Sequence, residues 1–146
     1  MTQFAGRING FTLDEALDAF DCIGTSSQPI RAWVYDKLHP GDVSACPSCG
    51  EQIISIKARK TFRDGGRVCC LSCKKFFTNR TNTILHGSQL EFEQVYLIAV
   101  LTAFAFRTSA DASAARREIS KIVGLHPDSI KHWQKIFSAL ETPIEF

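Results

Sequence analysis

Leu13, Ala16, Leu17 and Phe20 recur at the spacing of one helix face, and Thr12 followed by Glu15 supplies the capping box that opens such a helix. A loop from Gly24 to Pro29 follows, then a short apolar-aromatic stretch, Ile30 to Leu38, containing Trp33 and Tyr35. His39-Pro40-Gly41-Asp42 closes it as a turn. Further along, Ile53, Ile54 and Ile56 predict a strand, Arg63-Asp64-Gly65-Gly66-Arg67 a hairpin turn, Val68 a return strand and Phe76-Phe77 a third. Ser88 with Glu91 forms a second capping box ahead of an apolar run that predicts a helix to about Phe106. Being apolar nearly all round, that helix should be buried on most sides, as a core element or a dimer interface. Two amphipathic helices are expected after it, roughly Asp111 to Val123 and Pro127 to Leu140, joined by a tight Gly124-Leu125-His126 turn.

The cysteines add chemistry to this pattern. Cys46-Pro47-Ser48-Cys49-Gly50 and Cys70-Leu71-Ser72-Cys73 are paired C-x2-C motifs separated by twenty residues. Two residues between cysteines let a tight knuckle aim both sulfurs at one tetrahedral ion. Gly50 can adopt the positive φ that closes such a knuckle. Four thiolates around Zn²⁺ would fill its shell and leave no position for water or substrate, so the expected site is structural, with one ion per chain. A thioredoxin-like redox pair or disulfides are the competing readings. Cys69 with Cys73 would make a C-x3-C pair, but Cys70 has the spacing that matches the first knuckle. Cys22, distant in sequence, is expected to be a small buried hydrophobe.

Composition bounds the rest. A chain of 146 residues, 45% hydrophobic and 22% charged, suits a globular protein of one ordinary domain or two very small ones. The net charge of +2 hides an uneven distribution. Residues 1–44 carry 3 basic against 6 acidic groups, residues 45–88 carry 8 against 2, and residues 89–146 carry 6 against 7. The basic excess thus lies in the cysteine-bearing middle, which keeps about +4 after four thiolates bind one Zn²⁺. Met1 to Gly10 shows no apolar signal core, and Val95 to Phe106 falls short of the ~20 residues that span a bilayer. The expectation is a cytoplasmic protein, where paired C-x2-C motifs mean metal.

Two sets of residues point to DNA. Arg59, Lys60, Arg63 and Arg67, with Lys57, surround the expected hairpin, and Lys74, Lys75 and Arg80 follow it. Such a basic face suits phosphates, although it also serves as a solvated surface. Between Arg116 and Lys135, Ile119, Val123, Leu125, Ile130 and Trp133 fit the interior positions of a helix-turn-helix around Gly124, with the small Ser120 where the helices approach. Pro127 falls in the first turn of the second helix, where its missing N–H costs nothing. That helix would present His126, Asp128, Ser129, Lys131, His132 and Lys135 to base edges, while Arg116, Arg117 and Lys121 on the preceding helix meet phosphates. An ordinary helical hairpin is the plainer alternative.

The order Cys-Pro-x-Cys-Gly, basic segment, Cys-x-x-Cys-Lys-Lys-x-Phe, then Thr81-Asn82-Thr83-Ile84-Leu85-His86-Gly87-Ser88-Gln89-Leu90, resembles the N-terminal region of insertion-sequence transposases. Those proteins pair a zinc ribbon with a helix-turn-helix. The resemblance runs from about Cys46 to Phe137 and implies a DNA role for the matching basic residues and second helix. Residues 1–44 have no counterpart, and no acidic triad of a nuclease domain is visible, so a non-enzyme is expected. The expected architecture is α+β, comprising a helical or partner segment (1–42), a zinc ribbon (43–83) and a three-helix helix-turn-helix domain (84–146). The expected function is that of a zinc-dependent, sequence-specific transcriptional regulator of phage or mobile-element type. It would act as a homodimer on double-stranded DNA, with RNA polymerase or a recombinase as further partners. The alternatives are a DNA-targeting accessory subunit of a transposition or recombination system, and a protein-binding inhibitor module using the ribbon and the Trp33-Tyr35 segment.

Overall fold

The computed structural model describes residues 9–40, 45–108 and 111–141. Among them are six helices and one two-stranded sheet, a mixed but mostly helical architecture. The elements are α1 (Leu13–Ile23), α2 (Ser27–Leu38), α3 (Ile56–Arg63), β1 (Val68–Cys69), β2 (Phe76–Phe77), α4 (Phe92–Arg107), α5 (Ala112–Val123) and α6 (Pro127–Glu141). They fall into two compact units, Met1–Gly10 with Tyr35–Gln89, and Phe11–Val34 with Leu90–Phe146. Each unit draws on separated stretches of chain, where the sequence reading drew consecutive ones. Among the described residues no helix is long and apolar enough to cross a membrane.

The larger unit is helical. Thr12 and Glu15 cap α1 reciprocally, with Thr12 Oγ1 accepting from the Glu15 amide at 3.2 Å and Glu15 Oε1 from the Thr12 amide at 2.9 Å. Leu13, Ala16, Leu17 and Ala19 are buried, and α1 packs on α4. Cys22 is exposed, contrary to expectation. Nine residues beyond Leu13, it stands about 180° from Leu13 around the helix. The stretch Ile30 to Leu38 is part of helix α2, in which Pro29 occupies the first turn, where a proline is tolerated. The predicted apolar helix is α4. Its cap is Glu91, paired with Gln94, and not Ser88. The Ser88 carbonyl instead accepts from Arg80 Nη1 at 3.0 Å. Val95, Tyr96, Ile98, Ala99 and Val100 of α4 are buried, and α4 also packs on α5 and α6. Phe11 joins the ends of this unit, meeting Trp33 edge-on at 4.9 Å and Phe137 at 5.5 Å.

The smaller unit has a core of Cys46, Ile53, Phe62, Val68, Cys70 and Phe77, with Tyr35 and Ala58 packed against it. Here the expected strand–turn–strand between the cysteine pairs is corrected to helix–turn–strand. Ser55 Oγ caps α3 by accepting from the Ala58 amide at 3.3 Å, and Lys, Ala and Arg favour helix over strand. Of the three isoleucines only Ile53 is buried, while Ile54 and Ile56 are 80% and 85% exposed. The glycines placed in a hairpin turn end this helix instead. Gly65 at φ 93° donates to Phe62 O at 3.1 Å and Gly66 to Thr61 O at 2.8 Å, a Schellman closure. β1 and β2 are antiparallel, pairing Val68 with Phe77 and Cys69 with Phe76. The expected turn at His39-Pro40-Gly41-Asp42 lies partly outside the described residues.

Candidate functional site

The two cysteine pairs sit in knuckles that repeat each other bond for bond. In the first, Gly50 N–H donates to Cys46 O at 2.8 Å and Cys46 N–H to Glu51 O at 2.9 Å. In the second, Lys74 donates to Cys70 O at 2.9 Å and Cys70 to Lys75 O at 2.9 Å. Gly50 and Lys74 take the same place and both have positive φ, 80° and 66°. Glycine adopts that conformation freely and lysine does not, so the second knuckle holds about 1–2 kcal/mol of strain. Amides also reach the sulfurs, Ser48 N–H at 3.4 Å from Cys46 Sγ and Cys73 N–H at 3.5 Å from Cys70 Sγ.

The Sγ atoms of Cys46, Cys49, Cys70 and Cys73 all lie within 4.8 Å of one another. Cys46 to Cys73 is 3.7 Å and Cys49 to Cys70 3.6 Å. These separations exceed the ~2.05 Å of a disulfide. They match the ~3.8 Å edge of a tetrahedron with metal–sulfur bonds of ~2.3 Å. The four groups can therefore hold a metal ion. Cys69 lies outside the set, its Sγ 3.7 Å from Cys70 O and 3.8 Å from Lys74 O.

The cluster distributes protons unevenly without a metal. The Cys49 amide holds the Cys46 thiol down at about 6 against desolvation, helped by the Ser48 amide and the neighbouring thiols. The Cys73 amide likewise holds Cys70 below the usual thiol range. At Cys49 the Glu51 amide favours the thiolate, but the hydrogen bond shared with Cys70, desolvation and the other two sulfurs outweigh it and push the thiol up to about 11. Four thiolates cannot coexist unaided at neutral pH, whereas a divalent cation at their centre removes the repulsion.

The basic residues of this unit have specific local attachments. Arg59 Nε donates to Ile53 O at 2.7 Å, and Lys60 lies 2.9 Å from Asp64, which raises its ammonium pKa. The Arg67 guanidinium stacks 4.4 Å over the Phe76 ring, on the exposed face of the sheet. Lys57, Arg63, Lys74 and Lys75 are exposed, and Arg80 is half-buried.

In the helical unit, α5 ends at Gly124, whose φ of 76° turns the chain into α6. The amides of Gly124 and Leu125 both end on Ser120 O, at 2.9 and 3.2 Å, and Ser120 Oγ bonds Leu125 O. A larger side chain at 120 would lose that bond and crowd the turn. Ile119, Val123, Ile130 and Trp133 are buried, and Leu125 is half-buried. His126, Asp128, Lys131, His132 and Lys135 are exposed and Ser129 is half-buried. The α6 cap is His126, whose Nδ1 accepts from the Asp128 amide at 3.0 Å. Asp128 instead adds negative charge to the first turn, 3.7 Å from the same nitrogen. Arg117 is exposed, and Lys121 lies 3.6 Å from Glu118. Arg116 is half-buried and donates from Nε to Gln134 Oε1 at 2.9 Å. Gln134 and Thr102, its partner at 3.3 Å, were not singled out by sequence. Their polarity inside an apolar face was the available signal.

No protein-family model, curated protein or solved structure matches this chain.

Proposed function

We propose that the chain is a zinc-dependent, sequence-specific DNA-binding protein, a transcriptional regulator of phage or mobile-element type. In this reading the four-cysteine cluster is a structural zinc ribbon, elaborated by α3, and α5–α6 is a helix-turn-helix like that of insertion-sequence transposases. Zinc suits four thiolates in a tetrahedron, and its filled shell leaves no site for activating water, consistent with a non-enzyme. The observation that carries the DNA reading is α6 itself. It follows a glycine-pivoted turn, buries Ile130 and Trp133, and exposes Lys131, His132 and Lys135, with His126 exposed at its cap. Side chains so placed are those that reach base edges when a second helix enters the major groove. Arg117 and Lys121 on α5, with Arg67, Lys74 and Lys75 of the cysteine unit, would then neutralise phosphates. A second copy of the chain is the expected partner, reading a two-fold-related half-site.

The test is selection of duplexes from a random library by the full chain, with zinc measured by elemental analysis. Enrichment of one motif by protein holding about one zinc per chain supports the reading. Recovery of random sequence, or a metal-free folded protein, refutes it.

A second reading, a protein-binding module, draws on one feature. A groove of about 300 Å³ bordered by both knuckles is lined by Ile53, Ile54, Val68, Leu71 and Phe77, and Ile54 and Leu71 are 80% and 83% exposed. Apolar surface of this kind suits a peptide segment.

A further inference from the structure

A second concave site lies wholly within the helical unit, where the end of α4 meets α5 and α6. It is a cavity of about 280 Å³, and its charged lining among the described residues is cationic. Arg116 comes from α5, and Lys131 and Lys135 come from successive turns of α6. Among the described residues no Asp or Glu lines it. The remaining wall is formed by Phe106, Ala105 and Ala115, with Gln134 and Ser138. Phe106 is 59% exposed, so its ring offers open apolar surface at the mouth of the cavity.

The guanidinium is held in place. Thr102 is fully buried in α4, and its Oγ1 accepts from Gln134 Nε2 at 3.3 Å. Gln134 Oε1 accepts from Arg116 Nε at 2.9 Å. This chain fixes the amide orientation from the core outward and uses one of the five N–H donors of Arg116, leaving the terminal pair for a ligand. Three cations together raise the potential of a small cavity, and a fixed guanidinium is suited to two oxygens of one oxyanion.

The geometry points to a binding site for a small organic anion, a carboxylate or phosphate monoester carried on a ring. The oxyanion meets Arg116, Lys131 and Lys135, and the ring covers Phe106 and the two alanines. The volume suits a single-ring body, at the lower end of ligand pockets. Lys131 and Lys135 are also among the residues proposed to face DNA, so an occupant would compete with a duplex. The anion site itself is independent of that reading, because its test contains no DNA.

Calorimetry on the full zinc-loaded chain uses phenyl phosphate, inorganic phosphate and benzamide. Phenyl phosphate is expected to saturate at about millimolar concentration, the scale for so small a ligand. Inorganic phosphate and benzamide, each with half of the recognition chemistry, bind at least about tenfold more weakly. Arg116→Met and, separately, Lys135→Met weaken phenyl phosphate about tenfold. Arg31→Met, on α2 outside the cavity, leaves binding unchanged. Far-UV circular dichroism checks that each variant is folded, and Lys135→Met, altering an exposed side chain, keeps the test open if Arg116→Met unfolds. Failure of phenyl phosphate to saturate overturns the assignment, as does equal binding of inorganic phosphate or benzamide. Phenyl phosphate affinity untouched by Lys135→Met in a folded protein places its binding elsewhere and also overturns the assignment.

Discussion

Tyr96→Phe removes one atom from the centre of the helical unit, and its cost follows from the surroundings of that atom. Tyr96 is fully buried, its hydroxyl donates to Gly24 O at 2.9 Å, and its ring meets Trp33 edge-on at 5.8 Å. Phenylalanine keeps the ring contact and the buried area, so the cavity and aromatic contributions do not change. What is lost is a single neutral hydrogen bond, and the Gly24 carbonyl beyond the end of α1 loses this partner. That loss is about 1–2 kcal/mol, or roughly 4–16 °C in Tm for a unit of this size. Alkaline pH supplies a second signature. Burial raises the Tyr96 phenol above the value of ~10 usual for tyrosine. A group whose folded pKa is raised contributes stability that is fully present below its unfolded value. That contribution disappears as pH rises through the folded value. The wild-type advantage over Tyr96→Phe should therefore be constant up to about pH 10 and shrink above it. Thermal melts followed by circular dichroism at pH 7 and across pH 9–11 measure both effects. Equal melting temperatures at pH 7, or a difference that persists undiminished above the phenol's titration, would show that Tyr96 is not a buried donor to Gly24.

Three further outcomes concern the cysteine unit. Cys70→Ser should lose the metal and the fold around it, while Cys69→Ser keeps metal content unchanged; elemental analysis of both variants decides, and the reverse pattern would exchange the ligand assignment. Gly50→Ala should destabilise by about 1–2 kcal/mol and Lys74→Gly stabilise by up to about 1 kcal/mol, since equivalent positive-φ positions carry opposite residues; melts of the loaded proteins check the signs. Loading the metal-free chain at pH 7 should release about one proton or more per ion, because Cys49, pushed up to about 11, holds its proton there while Cys46, at about 6, does not. The metal should consequently leave on acidification and not on mild alkalinisation. A pH-stat titration measures the released protons, and uptake without any release would contradict the thiol assignment.

What was legible in the sequence was local. The Thr12–Glu15 box, the Gly124 stop and Pro127 are signals carried within a few residues, and α1, α5 and α6 lie where they place them. The four cysteines that could hold a metal ion were legible for the same reason, since knuckle spacing is a property of adjacent residues. Signals were misread where neighbours outside the motif decide. Ile53, Ile54 and Ile56 suggest a strand, but only Ile53 enters the core, and Ser55 with Ala58 and Phe62 makes the helix. Helix α2 has Ile30, Val34 and Leu38 buried at four-residue spacing, a periodicity masked by Pro29 and the aromatic residues between them. Ser88 is a good cap by composition, yet Arg80 binds its carbonyl and Glu91 caps α4. The positive φ of Lys74 has no local sequence signal. Only its equivalence with Gly50 in the other knuckle gives it away.

The most direct test of the proposed function is to compare Lys131→Ala and Arg67→Ala on the selected duplex and a scrambled one at several salt concentrations. Lys131 lies in the second turn of α6, on the exposed side, whereas Arg67 precedes β1 and stacks on Phe76. Lys131→Ala should cost about 1–3 kcal/mol on the selected duplex and far less on the scrambled one. Arg67→Ala should weaken both duplexes alike and reduce the salt slope by about one. A Lys131→Ala protein with unchanged affinity and specificity, beside an Arg67→Ala protein with altered base preference, would contradict the account and make the cysteine unit the reader.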